Sequence, residues 1–243
     1  DYLSDLINED YSELLEIVSR VPEDASFYKI YHEAKNHGDY IGERIDNSLR
    51  LIDQAIDSVC QNRGGYLFES IQFATVNFGA RSERDRMLNN LLAIFARPEM
   101  NFGYTHDGND KIKVACRYLF ERIASDSAMR GAEFYTPEGI SLLFAELLQP
   151  KGGDSICDPT CGSGSLLITL GEKIKKSFKS NNYTLFGQEV NRSSWALAKM
   201  NMIMHNEINS RIEWGDIISS PQFLDTDNRL MKFDVVASNP PFN

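Results

Sequence analysis

The sequence has no run of about 18 consecutive apolar residues, the length that a membrane-spanning helix needs. It opens with the acidic segment DYLSDLINEDY, whereas a secretory signal peptide opens with basic residues followed by an apolar stretch. Internal repeats and low-complexity segments are also absent. We therefore expect a globular cytoplasmic protein that has no membrane partner and is not exported.

Cysteine is scarce, with only four residues in the chain. Cys157 and Cys161 are close together, but no second pair follows them to complete a zinc site. Cys60 and Cys116 stand alone. We predict that all four are reduced thiols in core or loop positions and that the protein has no metal site.

Positive charge is in short supply in the first quarter of the chain. Residues 1–60 hold 14 Asp and Glu against 5 Lys and Arg, whereas residues 61–243 hold 21 against 20. The net charge of −10 is thus almost entirely that of the first segment. We interpret this acidity as a solvated helical surface. A nearly neutral remainder can still bind nucleic acid in a local cleft, with help from other segments or subunits.

Apolar residues recur at helical spacing through the first half of the sequence. The helical segments are residues 3–21, 41–60, 83–98 and 111–125. Pro98 ends the third segment, since proline cannot continue a helix. We predict an all-α N-terminal domain over residues 1–125.

From residue 150 onward, short apolar strands alternate with helices. The predicted strands are residues 154–159, 183–189, 211–216 and 233–241, and the predicted helices are residues 165–178 and 194–206. This alternation predicts an α/β fold with a Rossmann-like parallel sheet and helices on both faces. A doubly wound sheet normally continues past four strands, so we expect this one to be incomplete at its C-terminus.

A glycine-rich turn follows the first predicted strand. Its residues are Asp158, Thr160, Gly162, Ser163, Gly164 and Ser165. Glycines there let the backbone approach a ligand, and the following helix offers free N–H donors. Glu189 ends the next strand, where a carboxylate can accept hydrogen bonds from ribose hydroxyls. These features alone fit any Rossmann-like nucleotide site, including an NAD site.

The tetrapeptide Asn239-Pro240-Pro241-Phe242 follows the apolar strand FDVVAS. Two prolines end the strand in a rigid turn, which presents the Asn239 amide oxygen and a proline carbonyl as fixed acceptors. Two acceptors that grip the N–H bonds of an unreactive amine favour its attack on a methyl group. Phe242 supplies a flat face for stacking. The alternative is a strand-ending turn with a buried phenylalanine, which we disfavour because ligands bind at the carboxyl ends of such strands.

The segments DPTCGSGSLL, FGQEVN and NPPF resemble, in order and spacing, the DNA amino-methyltransferases. The upstream segment Glu133-Phe134-Tyr135-Thr136-Pro137 resembles the additional cofactor motif of that family. The greatest likeness is to modification subunits of type I restriction-modification systems, which methylate N6 of adenine. The resemblance implies a methyltransferase dependent on S-adenosylmethionine, with residues 126–243 forming the N-terminal part of the catalytic domain.

The resemblance also implies roles for individual residues. Phe134, Thr136 and Pro137 would line the methionine end of the cofactor, and the glycine turn would lie beneath its methionine and ribose. Glu189 would hold the ribose, Asp216 would meet the cofactor's adenine, and Asn239 to Phe242 would hold a flipped target base. Asp216 can instead be an N-cap or turn residue. Thr136 and Pro137 can begin a helix, with Thr136 as its N-cap and Pro137 at its first position.

Double-stranded DNA and a separate specificity subunit are the partners that the resemblance implies, and a restriction subunit is a further candidate. Cys161 stands where the family more often has alanine, a small difference that should be tolerated. No Pro-Cys dipeptide occurs, so methylation at carbon 5 of cytosine is not expected. A cytosine N4 methyltransferase, a protein-glutamine methyltransferase and a non-catalytic assembly module remain as alternatives.

Overall fold

The computed structural model describes residues 12–60, 67–69, 72–75, 80–101, 111–119, 122 and 136–240. The chain divides into two compact units, residues 1–111 and residues 112–243. Residue 125, where we predicted the boundary between the two domains, lies outside the described residues, so that boundary stays a prediction.

The first unit is helical where it is described. Its helices are α1 (Ser12–Arg20), α2 (Phe27–His37), α3 (Ile41–Val59) and α4 (Arg81–Phe95), with short 3-10 turns at Glu23–Ala25 and Pro98–Met100. Ile30, Ala34, Ile41, Leu88 and Leu92 form its core. Because these residues come from α2, α3 and α4, the core holds three helices together.

An aspartate on α3 binds the backbone of a loop in this helical unit. Asp46 accepts hydrogen bonds from the N–H groups of Phe73 and Ala74, at 2.7 and 2.9 Å. A Cβ on Gly42, one turn earlier on α3, would lie 2.7 Å from the carbonyl oxygen of Phe73. The loop can therefore approach α3 this closely only because residue 42 is glycine.

The second unit contains a four-stranded parallel sheet. Its strands are β1 (Ser155–Asp158), β2 (Thr184–Glu189), β3 (Arg211–Trp214) and β4 (Val235–Val236), in the order β3-β2-β1-β4. All three strand pairs are parallel. The chain order reverses direction between β1 and β4, and in sheets of this type the ligand crevice lies at the carboxyl ends of the strands at such a reversal.

Helices precede and connect these strands. They are α5 (helical residues 111–119), α6 (Glu138–Leu148), α7 (Ser165–Phe178) and α8 (Arg192–Met204). α7 joins β1 to β2 and α8 joins β2 to β3, and α6 packs against α7. The side chains of Leu167, Leu170 and Ile174 on α7 are fully buried, which accounts for the packing of this helix.

One region of the sheet differs from the prediction of helices on both faces. Cys157 and Phe186 are register partners and therefore share a face. They pack against Phe223, Met231 and Phe233, which belong to the connection between β3 and β4. Among the described residues, an aromatic segment covers this part of the sheet where a helix was expected.

Among the described residues, no helix is both long enough and apolar enough to span a membrane. All four cysteines are free thiols, and Cys157 and Cys161 are buried. Burial raises the pKa of Cys157 to about 12 and raises that of Cys161 well above its ordinary value. Both side chains therefore stay protonated and act as small apolar residues.

Candidate cofactor and substrate site

Strand β1 carries a buried carboxylate to the carboxyl edge of the sheet. Asp158 is the last residue of the strand, and its side chain is 2% exposed. The chain then turns through Gly162 and Gly164, whose φ angles are 54° and 76°. A Cβ on Gly164 would lie 2.7 Å from Cε of Met202. This position favours glycine because of its φ angle, and a larger residue would also displace the end of the Met202 side chain.

Glu189, at the end of β2, is bound directly to this turn. Its Oε2 accepts a hydrogen bond from the N–H of Gly162 at 3.0 Å, and its Oε1 accepts one from the N–H of Asn191 at 2.7 Å. A carboxylate offers about four acceptor positions. Glu189 can therefore still accept hydrogen bonds from the hydroxyl groups of a ligand.

Strand β4 brings the Asn-Pro segment to the same edge. The N–H of Ala237 donates to the carbonyl of Cys157 at 2.9 Å, which extends the pairing of β1 with β4. The next residue, Ser238, has its Oγ 2.5 Å from Oγ1 of Thr160. Asn239 directly follows this contact, so the glycine turn and the start of the tetrapeptide are neighbours.

The pKa of the Asp158 carboxyl group is raised in this setting. Burial away from water raises the pKa of its carboxyl group to about 7, although hydrogen bonds from the Thr160 N–H and the Ser238 hydroxyl lower it. The carboxylate of Glu189 raises this pKa as well. A site with two neighbouring carboxylates favours a ligand that brings positive charge.

Asp216 lies in the turn after β3, and it is exposed. Its Oδ1 accepts a hydrogen bond from the N–H of Ile218 at 2.9 Å, and its Oδ2 accepts one from the Ser219 hydroxyl at 2.8 Å. These hydrogen bonds lower the pKa of Asp216, the bond from Ile218 most of all. The turn role predicted as one alternative is therefore observed, and the ligand role stays a prediction.

Gln188 is a site residue that the sequence analysis missed. Its side chain is fully buried; Nε2 donates to the carbonyl of Ser220 at 2.9 Å, and Oε1 accepts from the N–H of Gln222 at 3.0 Å. The amide thus clamps the loop that carries Asp216. The available signal was a polar residue inside an apolar strand, since a buried amide needs partners.

The upstream motif is described only in part. Glu133, Phe134 and Tyr135 lie outside the described residues, as do Pro241 and Phe242 at the other end of the site. Thr136 and Pro137 directly precede α6, with Pro137 at the N-cap and α6 beginning at Glu138. The helix-start alternative is thus correct except that Pro137, rather than Thr136, is the cap. The Thr136 carbonyl lies 3.5 Å from the Ser165 hydroxyl, so this segment reaches the start of α7.

Comparison with known proteins decides the family. Residues 108–243, more than half of the chain, match the N-6 DNA Methylase family. The chain belongs to this family. Its resemblance to the type I modification subunits is confirmed by the relatives described next.

Two curated relatives of this N-6 DNA methylase chain illustrate the likeness. It is 30% identical to the type I restriction enzyme MjaIX methylase subunit of Methanocaldococcus jannaschii, over 99% of the chain and 42% of that relative. It is 27% identical to the type I restriction enzyme HindI methylase subunit of Haemophilus influenzae, over 83% of the chain and 45% of that relative. The chain therefore spans less than half the length of these relatives.

A solved structure agrees with the fold. The chain resembles the crystal structure of the type I restriction-modification system methyltransferase subunit from Streptococcus thermophilus, with a TM-score of 0.66 and 24% sequence identity. The match covers 91% of this chain and 45% of that chain. The predicted α/β methyltransferase fold is confirmed.

N-6 DNA methylases are S-adenosylmethionine-dependent enzymes, and the described residues fit that cofactor. Ser163 is 4% exposed, and its hydroxyl has no hydrogen-bond partner within the described parts of the chain. A buried hydroxyl without a partner is costly unless a ligand or water satisfies it. It lies in the turn that Glu189 contacts, where a polar nucleoside or amino-acid group would provide the partner.

Proposed function

We propose that this chain carries the cofactor pocket and the target-base turn of a type I modification subunit, which transfers a methyl group from S-adenosylmethionine to N6 of adenine in double-stranded DNA. The main support is the 2.5 Å contact between the hydroxyl groups of Thr160 and Ser238. A methyl donor above the glycine turn and a base at Asn239 would be close enough to react directly.

Within this proposal, the residues around the glycine turn bind the cofactor. Glu189 accepts hydrogen bonds from the ribose hydroxyls with the acceptor positions that its backbone contacts leave available. The hydroxyl of Ser163, which has no partner among the described residues, donates to a polar group of the cofactor. The remaining cofactor contacts come from two further groups: Asp158, Thr160, Gly162, Gly164, Ser165 and Asp216, and the upstream motif of Glu133, Phe134, Tyr135, Thr136 and Pro137.

The substrate residues act on the amino group of a flipped base. Asn239 and Pro240 supply acceptors that hold the two N–H bonds, which favours the tetrahedral nitrogen of the transition state. Pro241 fixes the turn, and Phe242 stacks on the base and offsets part of the few kcal/mol that flipping costs. The chemistry that S-adenosylmethionine supplies when bound is a methyl group activated by a sulfonium. Water takes the released proton.

We also propose the partners and the domain arrangement. Residues 1–125 form the helical domain and residues 126–243 the N-terminal part of the catalytic domain of a cytoplasmic protein. With a net charge of −10, the chain has little capacity to hold the DNA backbone alone. A specificity subunit therefore supplies sequence recognition and much of the phosphate binding, and a restriction subunit can join the same assembly.

The test is methylation of duplex DNA by the intact protein together with its partner subunits, using S-adenosylmethionine labelled in the methyl group. Digestion of the product to nucleosides should yield labelled N6-methyl-2′-deoxyadenosine, whereas labelled N4-methyl-2′-deoxycytidine would reassign the base. Asn239→Ala should lower kcat by about 100-fold or more, since it removes one of the two acceptors. Unchanged methylation by Asn239→Ala would refute the proposed role of the turn.

A further inference from the structure

Asp158, Thr160 and Ser238, at the carboxyl edge of β1 and β4, form a closed ring of hydrogen bonds that includes one backbone N–H. The N–H of Thr160 donates to Oδ1 of Asp158 at 3.0 Å. The hydroxyl of Ser238 is hydrogen-bonded to the carboxyl of Asp158, and it also lies 2.5 Å from the hydroxyl of Thr160. The ring joins residues that are 78 positions apart in the sequence.

The hydrogen positions in this ring follow from its chemistry. When Asp158 is ionised, its carboxylate can only accept, so the Ser238 hydroxyl then donates its single hydrogen to Asp158. The Thr160 hydroxyl must then donate to Oγ of Ser238. In this ionised form each hydroxyl has a fixed orientation. In either form, replacing one hydroxyl by an apolar group removes the hydrogen-bond partner of the other.

The ring lies where the backbone pairing of β1 and β4 ends. The last described backbone bond between these strands is the one from Ala237 to Cys157. Asn239 comes two residues later, and Pro240 has no N–H with which to continue the ladder. Ser238 is thus the link between the paired strand and the residues proposed to hold the target amine.

We propose that Thr160 and Ser238 are positioning residues whose hydroxyl pair sets the distance between the target-base turn and the cofactor turn. This inference rests on the function proposed above for the same site. Loss of the pair lets Asn239 shift relative to the methyl donor, and a shift of about 1 Å can cost about 100-fold in rate. Thr160 belongs to the cofactor turn through its backbone, which Thr160→Val keeps, so binding of the cofactor itself should change little.

The test uses Thr160→Val, Ser238→Ala and the double variant in the intact protein with its partner subunits. Each single variant should lower kcat for adenine methylation by about tenfold or more, with the Kd of S-adenosylmethionine within about threefold of wild type. The double variant should be no worse than the worse single variant, because the two hydroxyls act as one unit. Ser238→Thr and Thr160→Ser, which keep the hydroxyls, should restore kcat.

Ser155→Ala is the matched control. The Ser155 hydroxyl also links β1 to β4, through a 2.7 Å hydrogen bond to Asp234, but it lies at the start of the strands. Its loss should lower stability while kcat stays within about twofold of wild type. If Ser155→Ala and Ser238→Ala reduce kcat equally, the effect is general loosening of the sheet and the positioning role is wrong.

Other outcomes also overturn the inference. Single variants with normal kcat, or a double variant whose loss is the product of the two single losses, would show that the hydroxyls do not work together. A weakened Kd for S-adenosylmethionine with normal kcat at saturation would assign the pair to cofactor binding instead.

Hydrogen exchange separates this inference from the proposed function. If the wild-type assembly does not methylate adenine, the proposed function is wrong, and hydrogen exchange still tests the coupling of Thr160 to Ser238. The backbone amides of residues 237–239 should still exchange faster in Thr160→Val than in wild type or in Ser155→Ala. Equal exchange in the three proteins would overturn the coupling whatever the reaction proves to be.

Discussion

At the scale of single residues, Asp158 should make the stability of the protein depend on pH. Its pKa is about 7 in the folded state because of burial, against about 3.9 in an unfolded chain. Between these values the folded state keeps a proton that the unfolded state loses, so the free energy of unfolding falls as pH rises, by about 1.4 kcal/mol per pH unit. Asp158→Asn should remove this slope and gain stability relative to wild type from pH 5 to pH 7, measured by denaturant unfolding.

Asp234→Asn provides the comparison for that experiment. Hydrogen bonds from Ser155, that of its backbone N–H first, lower the pKa of Asp234, so its titration is complete below the tested range. Its effect on the free energy of unfolding should be constant from pH 5 to pH 8. A constant difference between Asp158→Asn and wild type over that range would show that Asp158 is already ionised there.

Gln188 gives a second prediction at this scale. Gln188→Ala leaves the carbonyl of Ser220 and the N–H of Gln222 without their partner, and we expect a loss of about 2 kcal/mol in stability. Because the same loop carries Asp216, the Kd of S-adenosylmethionine measured by calorimetry should rise about tenfold. Gln222 is exposed, and within the described residues its side chain bonds only to Ser220. Gln222→Ala should therefore change stability by less than about 0.5 kcal/mol. Equal effects of the two variants would show that Gln188 does not hold this loop in place.

At the scale of secondary structure elements, close packing of β2 against β3 and the glycine turn depends on Gly187. A Cβ there would lie 2.8 Å from Cδ1 of Ile212 and 2.9 Å from Sγ of Cys161. Gly187→Ala should therefore cost about 1–3 kcal/mol in unfolding free energy.

Gly139→Ala is the matched change on α6, where no described atom lies within 4 Å of the added Cβ. It should raise stability by about 0.5–1 kcal/mol, because alanine loses less backbone entropy in a helix. Thermal unfolding of the two variants should thus move in opposite directions. A neutral Gly187→Ala would show that the side chains of Ile212 and Cys161 move aside at little cost.

Strongly patterned elements were predictable from the sequence, and weakly patterned ones were not. The helix predicted over residues 165–178 has those bounds, because a turn of glycines precedes a full apolar stripe. Helix α2 was missed because only Ile30 and Ala34 of its residues are buried, which leaves a narrow stripe. Strand β4 is shorter than the predicted segment 233–241, since its described pairing is with β1 only at Val235 and Val236.

In the site, too, the features that local sequence encodes could be predicted. The glycine turn and Glu189 could be located from sequence because each follows a recognisable strand at a fixed spacing. Contacts such as that of Thr160 with Ser238 could not, because strand order and register decide which of several strand ends are neighbours. The role of Gln188 could not be predicted because it depends on the path of the loop after β3, and no periodic sequence pattern encodes that path.

At the scale of the whole molecule, each compact unit has its own buried core and its own buried carboxylates. In the first unit, Asp53 is 2% exposed, and it accepts hydrogen bonds from the N–H groups of Leu67 and Phe68 at 2.9 and 3.0 Å. In the second unit, Glu189 binds the glycine turn in a comparable way. Loss of such a carboxylate should destabilise its own unit before the other one, because the backbone N–H groups that donate to it lose their hydrogen bonds together.

Asp53→Ala tests this separation of the two units. It leaves two backbone N–H groups of the first unit without an acceptor, and we expect the free energy of unfolding of that unit to fall by about 3 kcal/mol. Native-state hydrogen exchange should then show faster exchange of α3 amides with unchanged protection of β1 and β2. Asp57→Ala, one turn further along α3 and not bonded to either N–H, should leave both units unchanged. Equal loss of protection in α3 and in the sheet would mean that the two units unfold as one cooperative body, which contradicts their independence.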